Sequence, residues 1–172
     1  MVVNVDQIWG AKIKSLLLGK EKEIKSISSV FSEILSRGML YPREFTKGRV
    51  VFLGINPSFR ATKDKKFGFN EVRYEEEIFK IPAEERYVFF KVFESAFGDL
   101  PWTHYDILPI RERNQKMISQ LVEGKNSIIS ELLSKFIFLS KEIIEECEPN
   151  ILVVSNAYVR NMFTYEIGRA HV

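Results

Sequence analysis

Two apolar runs in this sequence each end at an asparagine, and these two ends are the segments best suited to chemistry. Val50–Leu53 leads into GINPS (residues 54–58), and ILVVS leads into Asn156. A continuous short apolar run is typical of a strand that is covered on both faces, as in a parallel sheet. Ligands bind beyond the carboxyl ends of such strands. The sequence therefore predicts a site at the ends of these two runs.

The residues around Asn56 are suited to holding a planar polar ligand. An asparagine side chain offers an acceptor and two donors in one plane, which matches an amide or the edge of a nucleobase. Gly54 has no side chain, so we predict that a ligand approaches the backbone closely there. Pro57 favours an extended conformation at Asn56. Asn156 directly precedes a predicted helix, so capping of that helix is the alternative to ligand binding.

Helices that alternate with apolar strands position these residues and predict an α/β fold with a short, mainly parallel central sheet. Apolar spacing and stop signals predict the following helices: Asp6–Leu18, Glu21–Arg37, Glu84–Phe97, Asn114–Val122, Ser127–Cys147 and Asn156–Phe163. The predicted strands are Val50–Ile55, His104–Leu108 and Ile151–Ser155. Residues 57–82 are predicted to form a long polar loop, which is unusual and often functional. We expect a single domain over residues 1–166, with a helical part at residues 1–40.

Composition narrows the class of protein. The chain has 172 residues and 45% apolar content, which suit one domain with a proper core. Its net charge of +2 does not by itself indicate a nucleic-acid partner, although a local basic patch remains possible. Cys147 is the only cysteine, so an internal disulfide is excluded and a reducing, cytoplasmic setting is expected. The sequence shows no signal-peptide pattern and no apolar run near the ~20 residues of a membrane span. It also shows no Cys/His cluster, Walker or Gly-x-Gly-x-x-Gly pattern, so we expect no metal and no cofactor.

The tetrapeptide Gly54-Ile55-Asn56-Pro57 resembles the first motif of the uracil-DNA glycosylase superfamily. In the branch of mismatch-specific and thymine-DNA glycosylases that motif reads Gly-Ile-Asn-Pro-Gly, and here Ser58 replaces the final glycine. WTHYDILPIRERNQK (residues 102–116) resembles the second strand of the family, and PNILVVSNAYVRNMF (residues 149–163) resembles the unit before its last motif. The resemblance points to a bacterial relative of this superfamily and implies a three-layer α/β/α fold.

The resemblance implies an enzyme that flips a base out of DNA and hydrolyses its N-glycosidic bond. Asn56 matches the catalytic position that holds the attacking water. An aromatic residue in the following loop stacks on the base in this family, and Phe69 is the first choice here, with Phe67 second. The alternative is that either ring anchors the loop in the core. The implied base-binding residues are Gly54, Ile55, Pro57, Ser58, Phe69, Phe67 and Asn156.

Basic residues near both strand ends are candidates for contacts with DNA phosphates. They are Arg60, Lys63, Lys65, Lys66, Arg111 and Arg113. A solvated loop, or pairing with acidic neighbours, is the alternative for all of them. On the second strand, Asp106 is a candidate water-activating carboxylate, with a strand-edge or turn role as its alternative. A lone histidine such as His104 usually has a structural role.

The last six residues, Ile167–Val172, resemble no family motif. They can be encoded by ATC GGA AGA GCA CAC GTC, which matches a widely used short-read sequencing adapter, so we expect residues 167–172 to be a non-native tail. His171 is therefore not assigned to a site. On this expectation the last strand of the family would be missing, Ile151–Val154 would form a bare sheet edge, and this chain would be a poor catalyst.

The leading functional hypothesis is a monomeric DNA glycosylase in base excision repair, acting on uracil or a mismatched base. Its partner would be DNA, with no membrane and no metal. The alternative is a non-catalytic module that binds a base or nucleotide on the same fold. A small-molecule hydrolase is a third hypothesis, but the sequence shows no nucleophile–base pair to support it.

Overall fold

The structure, a computed structural model, describes residues 1–74, 88–97, 102–154 and 157–162. Its strands are β1 (Val2–Asn4), β2 (Met39–Tyr41), β3 (Glu44–Thr46), β4 (Val50–Gly54), β5 (Val72–Tyr74), β6 (Trp102–Asp106) and β7 (Ile151–Val154). A π-helical turn, Asp6–Gly10, precedes the helices α1 (Ala11–Ser15), α2 (Glu21–Ile27), α3 (Ser29–Ser36), α4 (Val88–Phe97), α5 (Gln115–Val122), α6 (Ser127–Cys147) and α7 (residues 157–162). Helices and small, mainly parallel sheets thus make a mixed α/β structure.

The central sheet has the strand order β6-β4-β7, and both pairings are parallel. The strand before the GINP motif thus lies in the middle, which is the position that the family resemblance implies for it. All five residues of β4 are buried, which explains why its sequence does not alternate between polar and apolar residues. The rings of Phe52 and Phe93 of α4 stack at 3.9 Å between centroids. The Tyr105 hydroxyl donates to Oγ of Ser140 of α6 at 3.0 Å, because the serine hydrogen is donated to the Ile107 carbonyl at 2.7 Å.

Two small sheets of three-residue strands complete the strand content of the described residues. β1 pairs antiparallel with β3, and β2 pairs parallel with β5. β2 also contacts the segment after β6, because Met39 forms an antiparallel bridge with Ile110 and the Leu40 amide donates to the Pro109 carbonyl at 2.8 Å. The long loop that contains β5 is therefore attached to the segment that follows β6.

Helix α6 has the bounds predicted from sequence. The Asn126 side chain accepts hydrogen bonds from two amides of the first turn, and the helix ends just before Pro149. The predicted helix Glu21–Arg37 is corrected to two helices. Ser28 is extended, and its hydroxyl oxygen accepts from the Phe31 amide, which starts α3.

The other predicted helices differ mainly at their ends. Asp6–Leu18 begins as a π-helical turn and its α-helix ends at Ser15. Glu84–Phe97 is described from Val88 onward, and Asn114 caps α5 rather than lying within it. Asn156 and Phe163, the ends of the last predicted helix, lie outside the described residues. The loop predicted over residues 57–82 contains β5, and residues 75–82 also lie outside the described part.

A cluster of buried apolar side chains joins the N-terminal helices to the central sheet and α6. Its members include Phe31 of α3, Leu53 of β4 and Phe136 of α6. Among the helices that the structure describes, none is both long and apolar enough to cross a membrane.

Candidate functional site

The candidate site lies where β4 and β6 end. Parallel pairing continues past the strands, because the Ile107 amide donates to the Gly54 carbonyl at 3.1 Å and the Leu108 amide to the Ile55 carbonyl at 2.9 Å. The Ile55 side chain is buried in the core. Asn56 is therefore the first motif residue beyond the paired part of the sheet, as the sequence predicts for a strand end.

The Asn56 amide nitrogen is surrounded by backbone carbonyls. Its Nδ2 lies 2.6 Å from the Glu112 oxygen, 3.0 Å from the Pro57 oxygen and 3.3 Å from the Ile110 oxygen. Three acceptors fix the nitrogen on this side of the amide and use both of its hydrogens. The half-buried side chain is left with Oδ1 as the polar atom that can act on a ligand. Asn56 can therefore offer a ligand an acceptor.

The rest of the motif is docked on the segment after β6. Pro57 is buried, and its carbonyl also accepts from the Glu112 amide at 2.9 Å. Ser58 is half-buried. Hydrogen bonds of Asn56 and Pro57 thus connect the motif to residues 110–112, which lie 54 to 56 positions later in the chain. Contacts of Ile55, Pro57 and Ser58 with a base stay a prediction.

The structure corrects the reason given for Gly54. A Cβ at this position would lie 2.1 Å from Oδ1 of Asp106 and 2.9 Å from Nε2 of His104. The space that we predicted for a ligand is therefore occupied by the neighbouring strand. His104 and Asp106 are 4% and 6% exposed, with 3.5 Å between Nε2 and Oδ1. His104 thus has a partner that sequence reasoning missed; the signal was its i, i+2 spacing from Asp106 on one strand.

A cluster of two arginines, two phenylalanines and a glutamate supports the loop after the motif. We call it the arginine cluster, and its members are Arg37, Phe59, Phe67, Arg111 and Glu112. The guanidinium carbons of Arg37 and Arg111 lie 4.8 and 5.0 Å from the Phe59 ring centroid. Nη1 of Arg37 lies 2.5 Å from Oε2 of Glu112. Sequence reasoning missed this cluster, because its members are far apart in the chain.

Arg111 is corrected from a candidate phosphate contact to a structural residue. It is 6% exposed, and its Nη1 donates to the carbonyls of Arg37 and Lys65, both at 2.9 Å. Its guanidinium carbon also lies 4.6 Å from the Phe67 centroid. These contacts tie the loop after the motif to the end of α3.

The contacts of Phe67 and Phe69 favour the loop-anchoring alternative. Phe67 packs against Gly38, where an added Cβ would lie 3.0 Å from the phenylalanine Cβ, and the Arg73 guanidinium lies 5.0 Å from its centroid. Phe69 is half-buried and packs against the main core. Stacking of either ring on a base stays a prediction.

Two of the predicted phosphate contacts form ion pairs within the protein. Nη2 of Arg60 lies 3.3 Å from Oδ1 of Asp64, and the Arg60 amide donates to Oδ2. Nζ of Lys66 lies 2.5 Å from Oε1 of Glu33, and this hydrogen bond holds the pKa of Glu33 below its usual value. The charge that these two residues can offer a phosphate is therefore reduced.

The remaining basic candidates, Lys63, Lys65 and Arg113, are exposed. Lys63 and Lys65 lie in the loop after the motif, and Arg113 directly follows Glu112, whose carbonyl contacts Asn56. All three positively charged side chains thus lie in the two segments that meet at the motif.

Asn156 and the predicted tail, residues 167–172, lie outside the described residues. At the edge of the central sheet, Ile151 is 52% exposed. Within the described ranges, no group of three or more His, Cys, Asp or Glu side chains could hold a metal ion. No protein-family model, curated protein or solved structure matches this chain.

Proposed function

We propose that this chain is a uracil-DNA glycosylase-like domain that hydrolyses the N-glycosidic bond of a flipped uracil or mismatched base in DNA. The observation that carries the proposal is the placement of the GINP motif. It lies at the carboxyl end of the middle strand of a parallel sheet, the edge at which such sheets bind ligands. The packing of Phe93 of α4 and Ser140 of α6 on β4 and β6 supports the proposed three-layer arrangement.

The reaction needs a positioned water and an environment that tolerates separated charge. The sugar develops oxocarbenium character while the departing base becomes an anion, so donors near the base lower the barrier. Oδ1 of Asn56 can accept a hydrogen bond from water and orient it, which is the role of the matching family position. An amide oxygen does not take a proton at neutral pH, so Asn56 is a positioning group for water in this proposal.

The exposed cations supply the proposed path of the DNA backbone. Lys63, Lys65 and Arg113 lie beside the motif, and phosphate contacts from such residues give affinity without reading sequence. Arg60 and Lys66 contribute less, because each already pairs with a carboxylate.

A non-catalytic base- or nucleotide-binding module is the second candidate function. The saturation of the Asn56 amide nitrogen by carbonyls favours it, because the side chain can then recognise a donor on a base without performing chemistry. Binding of base-containing oligonucleotides without cleavage would distinguish this module from the enzyme.

Cleavage of defined oligonucleotides tests the enzymatic proposal. Labelled duplexes carrying uracil, a thymine mispair or hypoxanthine are incubated with the protein, treated with alkali and scored for strand breaks at abasic sites. Because residues 167–172 are predicted to be non-native, the natural reading frame that contains residues 1–166 is assayed beside this chain. Absence of abasic sites with every duplex and both proteins would refute the enzyme.

Asn56→Ala is the decisive variant, and Asn150→Ala is its matched control. Asn150 is exposed and precedes β7, at the opposite end of the central strands. We expect Asn56→Ala to remove most cleavage while DNA binding stays within about twofold, since the side chain acts on water rather than on phosphate. Thermal melts accompany the assay, because the variant also loses three carbonyl contacts. Unchanged cleavage would refute the role of Asn56.

The salt dependence of DNA binding tests the proposed phosphate contacts. Lys63→Ala and Lys65→Ala should each lower the slope of log affinity against log salt by about 1, whatever the base. Lys66→Ala, which removes a paired cation, is the control and should lower the slope less. Equal slopes for the wild type and both exposed-lysine variants would refute the phosphate contacts and favour the alternative that these lysines belong to a solvated loop.

A further inference from the structure

The described part of the site contains a second polar group beside the motif, the buried pair His104 and Asp106. Both residues are on β6, the immediate neighbour of the motif strand, and their exposed fractions are 4% and 6%. A buried carboxylate at the carboxyl end of a parallel strand lies where such sheets bind ligands, and titratable groups in such positions are candidates for a role in catalysis. We infer that Asp106 is the proton acceptor for the attacking water, with His104 as its positioning partner; this inference rests on the proposed glycosylase function.

The motif itself provides the space that this carboxylate occupies. Gly54 and Asp106 are register partners, and Phe52 and His104 are the preceding pair on the same face. Any side chain on Gly54 would overlap Asp106, since even a Cβ would lie 2.1 Å from Oδ1. Because Gly54 has no side chain, the Asp106 carboxylate can lie directly beside the motif strand, two residues before Asn56.

The chemistry of the two side chains assigns Asn56 to holding the water and Asp106 to accepting its proton. Asn56 offers an acceptor oxygen that holds water but does not remove its proton. A carboxylate can do so, and such proton transfer contributes about 10²–10⁴-fold to a hydrolytic rate. Asn56 lies two residues beyond Gly54, the register partner of Asp106, where the strand has ended.

The other carboxylates near the motif are held by arginines. Glu112 accepts from Arg37 through one oxygen and from the Asn114 amide through the other, at 2.5 and 2.7 Å. Asp64 is bound to Arg60 through both oxygens. Loss of either carboxylate to protonation would break an ion pair that supports the loop. Asp106 pairs with an imidazole, which can itself share or relay a proton.

The proposed step is balanced without any further reagent. A water oxygen forms a bond to C1′ of the deoxyribose as the bond between C1′ and the base nitrogen breaks. The electron pair of the broken bond leaves with the base, which departs as an anion. The water proton passes to Asp106, and from there through His104 or solvent to the departed base.

Asp106→Asn is the test variant, because it keeps the shape of the side chain and removes its ability to take a proton. Glu145→Gln, which neutralises an exposed carboxylate on α6, is the control for lost charge. Single-turnover cleavage of the uracil duplex is measured from pH 3 to 9, a range that includes the ordinary pKa of an aspartate, together with DNA affinity and thermal melting. We expect Asp106→Asn to cleave about 10²–10⁴-fold more slowly with DNA affinity within about twofold of wild type.

The pH profile separates proton transfer from a structural role. The wild-type rate should rise with pH as the acceptor loses its proton, and Asp106→Asn should lack this rise, whereas a merely destabilised variant would keep it. His104→Asn should retain the rise but shift its midpoint. If Asp106→Asn cleaves at the wild-type rate and with the wild-type pH profile, this inference is refuted and the proposed function is not. Absence of cleavage both by this chain and by the protein of the natural reading frame would refute the proposed function, and this inference with it.

Discussion

Replacing Gly54 with alanine tests the packing that places Asp106 beside the motif. The added Cβ would lie 2.1 Å from Oδ1 and 3.2 Å from Cγ of Asp106, and 2.9 Å from Nε2 of His104. A methyl group cannot approach an oxygen this closely, so the carboxylate must move by about 1 Å in a packed interior, where such overpacking costs roughly 1–3 kcal/mol.

The expected loss of stability follows from two opposing terms. Alanine in a strand is favoured over glycine by about 0.5–1 kcal/mol, because glycine loses more backbone entropy on folding. Because both displaced side chains are buried, we expect overpacking near the upper end of its range and a net loss of about 2 kcal/mol in the free energy of unfolding. In a domain of this size that loss lowers Tm by about 4–8 °C.

Urea denaturation and thermal melting of four proteins measure this effect. They are the wild type, Gly54→Ala, Asp106→Ala and the double variant. Asp106→Ala removes the atoms that the new Cβ would meet first, so the second substitution should cost less in its presence. We expect a coupling free energy of about 1 kcal/mol or more between the two positions. Additive costs, or a Gly54→Ala protein as stable as the wild type, would refute the packing explanation.

Three further predictions concern other described contacts. Asn56→Asp should lower the free energy of unfolding by roughly 2–3 kcal/mol at pH 7, because a carboxylate would replace a donor that faces three carbonyls. This stability should return as the pH falls to about 4, where the carboxyl group gains a proton and becomes a donor. Urea titrations at both pH values measure the difference. Arg37→Met should lower the free energy of unfolding, measured in urea, by about 2–4 kcal/mol, since it leaves Glu112 buried without its cation. The exposed control Lys66→Met should lower it by less than about 1 kcal/mol. Burial raises the pKa of Cys147 to about 12, so a thiol reagent at pH 8 should label it only as fast as the protein unfolds. Since the native pKa exceeds the unfolded one, its contribution to stability is present below about pH 9 and is lost as the pH rises toward 12, and Cys147→Ala should reduce that fall.

Where local patterns are strong, the sequence predicts the structure closely. The bounds of α6 were predicted to the residue, because a turn before the helix, an apolar stripe along it and a proline after it all agree. The position of β4 in the middle of the central sheet was also predicted correctly. The family resemblance implies that position; the unbroken apolar run predicts only cover on both faces, which the burial of all five β4 residues confirms.

Where patterns are short or continuous across a break, prediction fails. The strands β1, β2, β3 and β5 have three residues each, too few for a period of two to be recognised. The apolar spacing of α2 continues into α3, so the break at Ser28 is hidden. The extended backbone of Ser28 and the hydrogen bond from the Phe31 amide to its hydroxyl oxygen reveal the break.

In the candidate site, the sequence indicated which residues matter better than it indicated their contacts. The position of Asn56 at the end of β4 follows from the motif, but the three carbonyls around its amide nitrogen come from the motif and a segment more than 50 residues away. The pairing of Arg37 with Glu112 has a separation of 75 residues and no local signal. Such contacts depend on tertiary packing, which a single sequence does not display.

The arginine cluster also has a consequence for the order of folding during synthesis. Arg37 donates to the carbonyl of Arg111, which lies 74 residues later in the chain. At a synthesis rate of about 5–20 residues per second, Arg111 is added roughly 4–15 s after Arg37. Through that interval α3 and the loop after the motif lack the cation and carboxylate that join them. The candidate site therefore cannot assemble until the segment after β6 has been added, well after synthesis of the motif itself.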